Sequence, residues 1–183
     1  MSEHQRLVSV FDALGPVMTG PSSSHTAGMV RIGKISRILL GDTPERIELS
    51  FYGALALTYK GHFSDSAIVA GLLGMDEDSP GIVNALDIAR NQCINIKYQL
   101  NVDSDKDPNT VEMFLSRDQD NLHIEASSIG GGEILVSKVD EFSVSLKGDE
   151  DGVMFVATDY LNHDVINSLL GDNLLEIQYC NSD

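Results

Sequence analysis

Leu7, Val8, Val10, Phe11 and Leu14 recur at helical spacing near the start of the chain, which predicts a short helix stopped at Gly15-Pro16. A second helical run, Thr26 to Leu40, carries Met29, Val30, Ile32, Ile35, Ile38 and Leu39 and stops at Gly41. Arg46 to Tyr52 alternates instead, with Ile47, Leu49 and Phe51 on one face, and reads as a strand. Ala54 to Tyr59 is small and apolar, a helix. Ser64 stands where it can cap an apolar helix from Ala67 to Leu73, closed by Gly74. Ser79-Pro80 opens another, with Ile82, Val83, Leu86, Ile88 and Ala89 as its apolar positions.

After Cys93 the period changes to two. Ile94, Ile96, Tyr98 and Leu100 alternate, as do Val111, Met113 and Leu115, then Leu122, Ile124 and Ala126. Ile134 and Val136, then Phe142, Val144 and Leu146, continue the pattern. Short strands joined by turns predict a mostly antiparallel sheet, so the expected class is α+β, helices packed on that sheet. Asp103 to Asp107 forms an acidic loop before Pro108, and Gly130-Gly131-Gly132 marks a bulge, a tight turn or a close approach. Residues 1–148 read as one domain. Gly148 to Gly152 reads as a linker, followed by a strand (Val153 to Thr158), a helix (Asn162 to Leu170) and a strand (Leu174 to Tyr179). One β-α-β unit of this size buries too little apolar surface to stand alone.

Charge narrows the function. The chain has 183 residues and a net charge of -16, from 28 acidic and 12 basic side chains. Nucleic-acid binding is disfavoured, because counterion release needs clustered Lys and Arg. Anionic membranes are disfavoured for the same reason, and no run reaches the ~18 apolar residues of a membrane span. Met1-Ser2-Glu3-His4-Gln5 does not read as a signal peptide, so the cytoplasm is the expected compartment. Cys93 and Cys180 read as free thiols. Two cysteines cannot supply the three or four thiolates of an iron–sulfur cluster. His4, His25, His62, His123 and His163 have no metal-ligand spacing. A transition metal, if one is used, is expected largely on another chain.

The chemistry concentrates in two polar loops. Gly20-Pro21-Ser22-Ser23-Ser24-His25-Thr26-Ala27-Gly28 breaks the backbone and then gathers hydroxyls and an imidazole at a helix start, a device suited to a carboxylate or phosphate. Lys60-Gly61-His62-Phe63-Ser64-Asp65 is the second loop, and His62 is its usable base. Arg31, Lys34 and Arg37 share one face of the intervening helix, either a solvated face or a positive lining near the anion loop. Four readings compete. A Ser–His–Asp hydrolase with Asp65 as orienter lacks the nucleophile elbow. A phosphate loop lacks Gly-Lys-Ser/Thr. A sensor for a small carboxylate and one half of an active site both remain open. Proton removal beside a carboxylate, followed by loss of hydroxide, needs a Lewis acid that this chain does not visibly carry.

Five motifs in order carry a resemblance: Gly20 to Gly28 as above; Tyr59-Lys60-Gly61-His62 with Asp65; Gly71-Leu72-Leu73-Gly74; Pro108-Asn109-Thr110; and Ser128-Ile129-Gly130-Gly131-Gly132. Together they resemble the β subunit of the iron–sulfur-dependent L-serine dehydratases, over roughly residues 6–148. The resemblance implies a separate α subunit holding a [4Fe–4S] cluster and a pair that deaminates L-serine to pyruvate and ammonia. It implies that Ser22, Ser23, Ser24, His25, Thr26, Asp65 and Asn109 contact substrate and that His62 serves near the α-hydrogen. It further implies the fold of the allosteric substrate-binding domain of certain phosphoglycerate dehydrogenases, which keeps a serine-sensing or assembly module as the alternative. Contacts between two β chains through the sheet are compatible with it. Residues 149–183 then read as a linker and a partial or degenerate ACT-like segment. The sequence departs from the family pattern where Phe63 and Ser64 replace a Gly-Thr pair, and where Asp107 replaces a histidine before Pro108.

Overall fold

The structure, a computed structural model, describes residues 17–148. The expected opening helix, Cys180 and the β-α-β segment lie outside these residues. Strands β1 (Arg46–Tyr52), β2 (Asn95–Asn101), β3 (Thr110–Arg117), β4 (Asp120–Gly130), β5 (Glu133–Val139) and β6 (Phe142–Lys147) form one sheet in the order β2-β1-β3-β4-β5-β6. Only β1 and β2 run parallel; every other neighbouring pair is antiparallel. The crossover between the parallel pair contains helices α2 (Gly53–Thr58), α3 (Ser64–Leu72) and α4 (Ala85–Asn91), preceded in the chain by α1 (Gly28–Leu40). The α+β class holds.

The alternation read in the sequence is the burial pattern. Ile47, Leu49 and Phe51 of β1 meet Val111, Met113 and Leu115 of β3, and Leu122, Ile124 and Ala126 of β4, on one fully covered face. Burying a side chain of this size contributes about 1.5–3 kcal/mol. α1 lays Met29, Val30 and Ile32 on that layer, and α3, buried along its whole length, packs beside it. The two helices cross at Gly33 and Gly71. A Cβ at Gly71 would lie 2.1 Å from the Val30 carbonyl oxygen, and one at Gly33 2.3 Å from that of Ile68. Backbone therefore meets backbone at this crossing.

The opposite face of the sheet is open and polar. His123 Nε2 lies 2.7 Å from Glu112 Oε1, the Tyr52 hydroxyl donates to the other Glu112 oxygen, and Lys106 pairs with Glu125. Burial alone would raise the Glu112 carboxyl; the hydrogen bonds from Tyr52 and His123 and the Lys106 charge outweigh it and hold it below the usual range. A shallow concavity of about 390 Å³ on this face shares no lining residue with the two polar loops.

Three local expectations change. The helix expected from Thr26 begins earlier, as a wide turn over Ser23–Ala27 that runs into α1. Ser64 does not cap α3: it is the first helical residue, and its hydroxyl is buried without a partner. Arg31, Lys34 and Arg37 form a partly solvated face of ion pairs. Arg31 pairs with Glu77 at 2.7 Å and donates to the Gly132 carbonyl at 2.9 Å, Lys34 pairs with Asp76, and Arg37 with Asp42 at 2.6 Å. The face is spent holding neighbouring turns against the helix.

Candidate active site

Ser22 keeps extended backbone, and its Oγ accepts the His25 N–H at 3.1 Å, so the serine run caps its own turn. The same oxygen lies 3.2 Å from His25 Nδ1, which fixes one edge of the ring. Ser23 and Ser24 sit half-buried in that turn, and among the described residues their hydroxyls have no partner.

The second loop comes back onto this turn. His62 donates its N–H to the Thr58 carbonyl at 3.1 Å, and its ring centroid lies 4.7 Å from that of His25. His25 Nε2 and His62 Nδ1 are both buried and unpartnered. Two rings in contact, each with a buried polar nitrogen that no partner satisfies, come from two separate loops of the chain. Thr26 is fully buried, and its hydroxyl donates to the His62 carbonyl at 3.1 Å. Phe63, with φ 58°, takes the left-handed conformation and is 42% exposed. A glycine, as in the family pattern, holds that conformation without steric cost.

A third segment closes the site. Asp107 Oδ1 accepts the Asn109 N–H at 2.9 Å, a local turn in place of the family's histidine. The Pro108 carbonyl accepts the Leu55 N–H at 2.9 Å, and the Asn109 carbonyl accepts that of Ser128 at 3.3 Å. This places the Asn109 side chain near enough to act on the His25 ring, though no aligned hydrogen bond reaches Nε2. Asp65 takes a different place. It is buried, its Oδ1 accepts the Ser66 N–H at 2.9 Å, and it makes no hydrogen bond to either histidine. Burial raises its carboxyl above the usual range, against the Ser66 N–H and the Lys60 charge. Burial, with the Asp65 charge, pushes the Tyr98 hydroxyl up to about 12. Among the described residues no Ser–His–Asp arrangement forms around Asp65. The sequence reading placed Ser128 in a motif but not its burial: it is 1% exposed, one inward step after Ala126, and its Oγ faces Gly28. Its signal was a polar residue at an inward position of β4.

Burial pushes the His25 imidazole below its ordinary 6.5, the His62 ring adds to this, and Asn109 opposes it. The unfolded chain therefore binds more protons than the folded one just below pH 6.5. The contribution to stability is present above that value and lost as pH falls through the folded-state value. Urea midpoints should fall on acidification through this window, and His25→Gln should flatten the fall. An unchanged slope in the variant would remove His25 as its source.

These elements define a class first: an α+β domain in which the His25 and His62 rings meet beside a turn of serine hydroxyls. Its sequence matches the family model described as serine dehydratase beta chain over residues 9–139, and the chain belongs to that family. It is 44% identical over 151 residues to the Bacillus subtilis (strain 168) protein called "Probable L-serine dehydratase, beta chain", covering 82% of this chain and 69% of that one. It is 30% identical over 148 residues to the L-serine dehydratase, beta chain, of Peptoniphilus asaccharolyticus, covering 80% of this chain and 67% of the relative. L-serine dehydratase 2 of Escherichia coli (strain K12) matches at 44% over 82 residues, 42% of this chain and 18% of that protein.

Proposed function

We propose that this chain is the β subunit of a two-chain L-serine dehydratase, deaminating L-serine to pyruvate and ammonia together with a [4Fe–4S] α subunit. The observation that carries the reading is the meeting of the His25 and His62 rings, with Asn109 acting on His25 and two serine hydroxyls in the same turn as His25. The cluster belongs to the partner in this reading. Cys93 is exposed, and among the described residues no group of three His, Cys, Asp or Glu side chains is arranged to hold a metal ion. Bound in the α subunit, such a cluster would supply Lewis acidity for departure of the substrate hydroxyl.

The residues of this chain hold and deprotonate. Ser22, Ser23, Ser24 and His25 present hydroxyls and an imidazole to the substrate carboxylate, with Asn109 at the rim. His62 stands nearest the α-hydrogen and takes that proton. Loss of the β-hydroxyl as water leaves aminoacrylate, whose imine form adds water and releases ammonia and pyruvate. Asp65 sets the second loop rather than touching the histidines. The cytoplasm is the compartment that goes with this reading, and serine and the α subunit are its partners. No helix among the described residues is long and apolar enough to cross a membrane.

Ser24→Ala tests the loop. In the assembled pair it should weaken serine by about 1–3 kcal/mol, the cost of one hydrogen bond to a charged group. An unchanged KM and kcat would remove Ser24 from the site. A second reading, a serine-sensing or assembly module without catalysis, is favoured by Phe63, a bulky residue exposed beside His62. Serine binding with no turnover in a cluster-loaded pair would select it.

A further inference from the structure

We propose that Thr26 is a positioning residue: its hydroxyl fixes the backbone of His62 and, through it, the orientation of the His62 ring against His25. The inference deepens the reading above and rests on it for its kinetic part. Thr26 had been expected to touch substrate, yet it is fully buried and its hydroxyl donates to the His62 carbonyl at 3.1 Å. The hydroxyl is thereby committed inside the protein.

The strut is held at both ends. At the first loop, the Thr26 N–H donates to the Ser22 carbonyl at 2.8 Å, so its backbone is set by the same turn that presents the serines. Its methyl fills the space beside Gly20, where φ is 136° and an added Cβ would come within 2.5 Å of Thr26 Cγ2. The Thr26 side chain thus occupies the space that any side chain at position 20 would need. At the second loop, the His62 N–H is tied to Thr58 and the Ser64 N–H to the Tyr59 carbonyl at 2.8 Å. Those bonds fix the ends of the turn. The Thr26 hydroxyl reaches the carbonyl between them and is a direct link from the serine turn to the His62 loop. The two rings, 4.7 Å apart, come from these two loops, so whatever sets the loop spacing sets the ring geometry. Loss of the strut displaces the base while leaving the serine hydroxyls in place, and small displacements of a reacting group are costly.

Thr26→Val keeps the shape and removes the hydroxyl; Thr26→Ser keeps the hydroxyl. In the assembled α/β pair, Thr26→Val should lower kcat about 10- to 100-fold with KM within about twofold, and Thr26→Ser should restore most of it. In the isotope-labelled full chain, the His62 ring resonances should move in Thr26→Val and stay near the native position in Thr26→Ser. This second readout does not depend on catalysis. If His62→Ala proved fully active while Thr26→Val still moved the His62 resonances, the strut would stand and the catalytic reading of His62 would fall. Unmoved resonances with native kcat in Thr26→Val would overturn the proposal. So would a Thr26→Ser chain as impaired as Thr26→Val, a comparison that stays informative if the valine chain folds poorly.

Discussion

His62→Ala in the assembled pair should lower turnover of L-serine by about three orders of magnitude, mid-range for loss of a positioned base. His62 lies in the turn between α2 and α3, its backbone bonded on both sides, its ring beside His25 and its Nδ1 without a partner. A ring on so firmly held a backbone, with an unused nitrogen, is what the proposed role as base requires. Alanine removes the ring and leaves the backbone bonds to Thr58 and Thr26 intact. Assembly with the α subunit should therefore survive, as judged by co-elution and by retained cluster absorbance. Turnover within a few-fold of the native pair would show that another group takes the proton.

Gly71→Ala should be the most destabilising single methyl in the fold. Its Cβ would lie 2.1 Å from the Val30 carbonyl oxygen, 2.8 Å from the Lys34 nitrogen and 3.0 Å from Gly33 Cα. All three neighbours are backbone, so no side chain can swing away. Either α1 and α3 separate, opening the layer built on Met29, Ile32, Ile68 and Leu72, or the variant does not fold. The expected loss is about 3 kcal/mol or more, at or beyond the upper end for overpacking. Because α1 carries the serine turn and α3 follows the His62 loop, a variant that still folds should also lose serine affinity. A urea midpoint close to the native one would mean that the helices are not in the contact described.

The pattern of apolar positions told most about elements whose burial is one-sided. Leu122, Ile124 and Ala126 alternate because β4 has one covered face, and the strand is where that pattern puts it. The α3 segment was legible as a helix, but its complete burial, Ser64 and Asp65 included, was not. Polar residues inside a short helix are indistinguishable from a capping loop until the neighbours are known. The pairing of Arg31 and Lys34 with the turn at residues 76–77 was hidden for the same reason: the partners lie more than 40 positions apart. So was the place of β2, parallel to β1 at the sheet edge, since alternation carries no strand order. The site was legible as two polar loops. Their meeting, and the inward turn of Thr26, follow from the crossing of α1 and α3, which depends on two glycines and not on any polar residue.

The most direct test of the central claim is pyruvate release from L-serine under anaerobic conditions, measured with this chain alone and with a co-expressed iron–sulfur α subunit. Activity in the pair, and none in the single chain, is the predicted result. Pyruvate from the chain alone, or none from an intact, cluster-loaded pair, would contradict it.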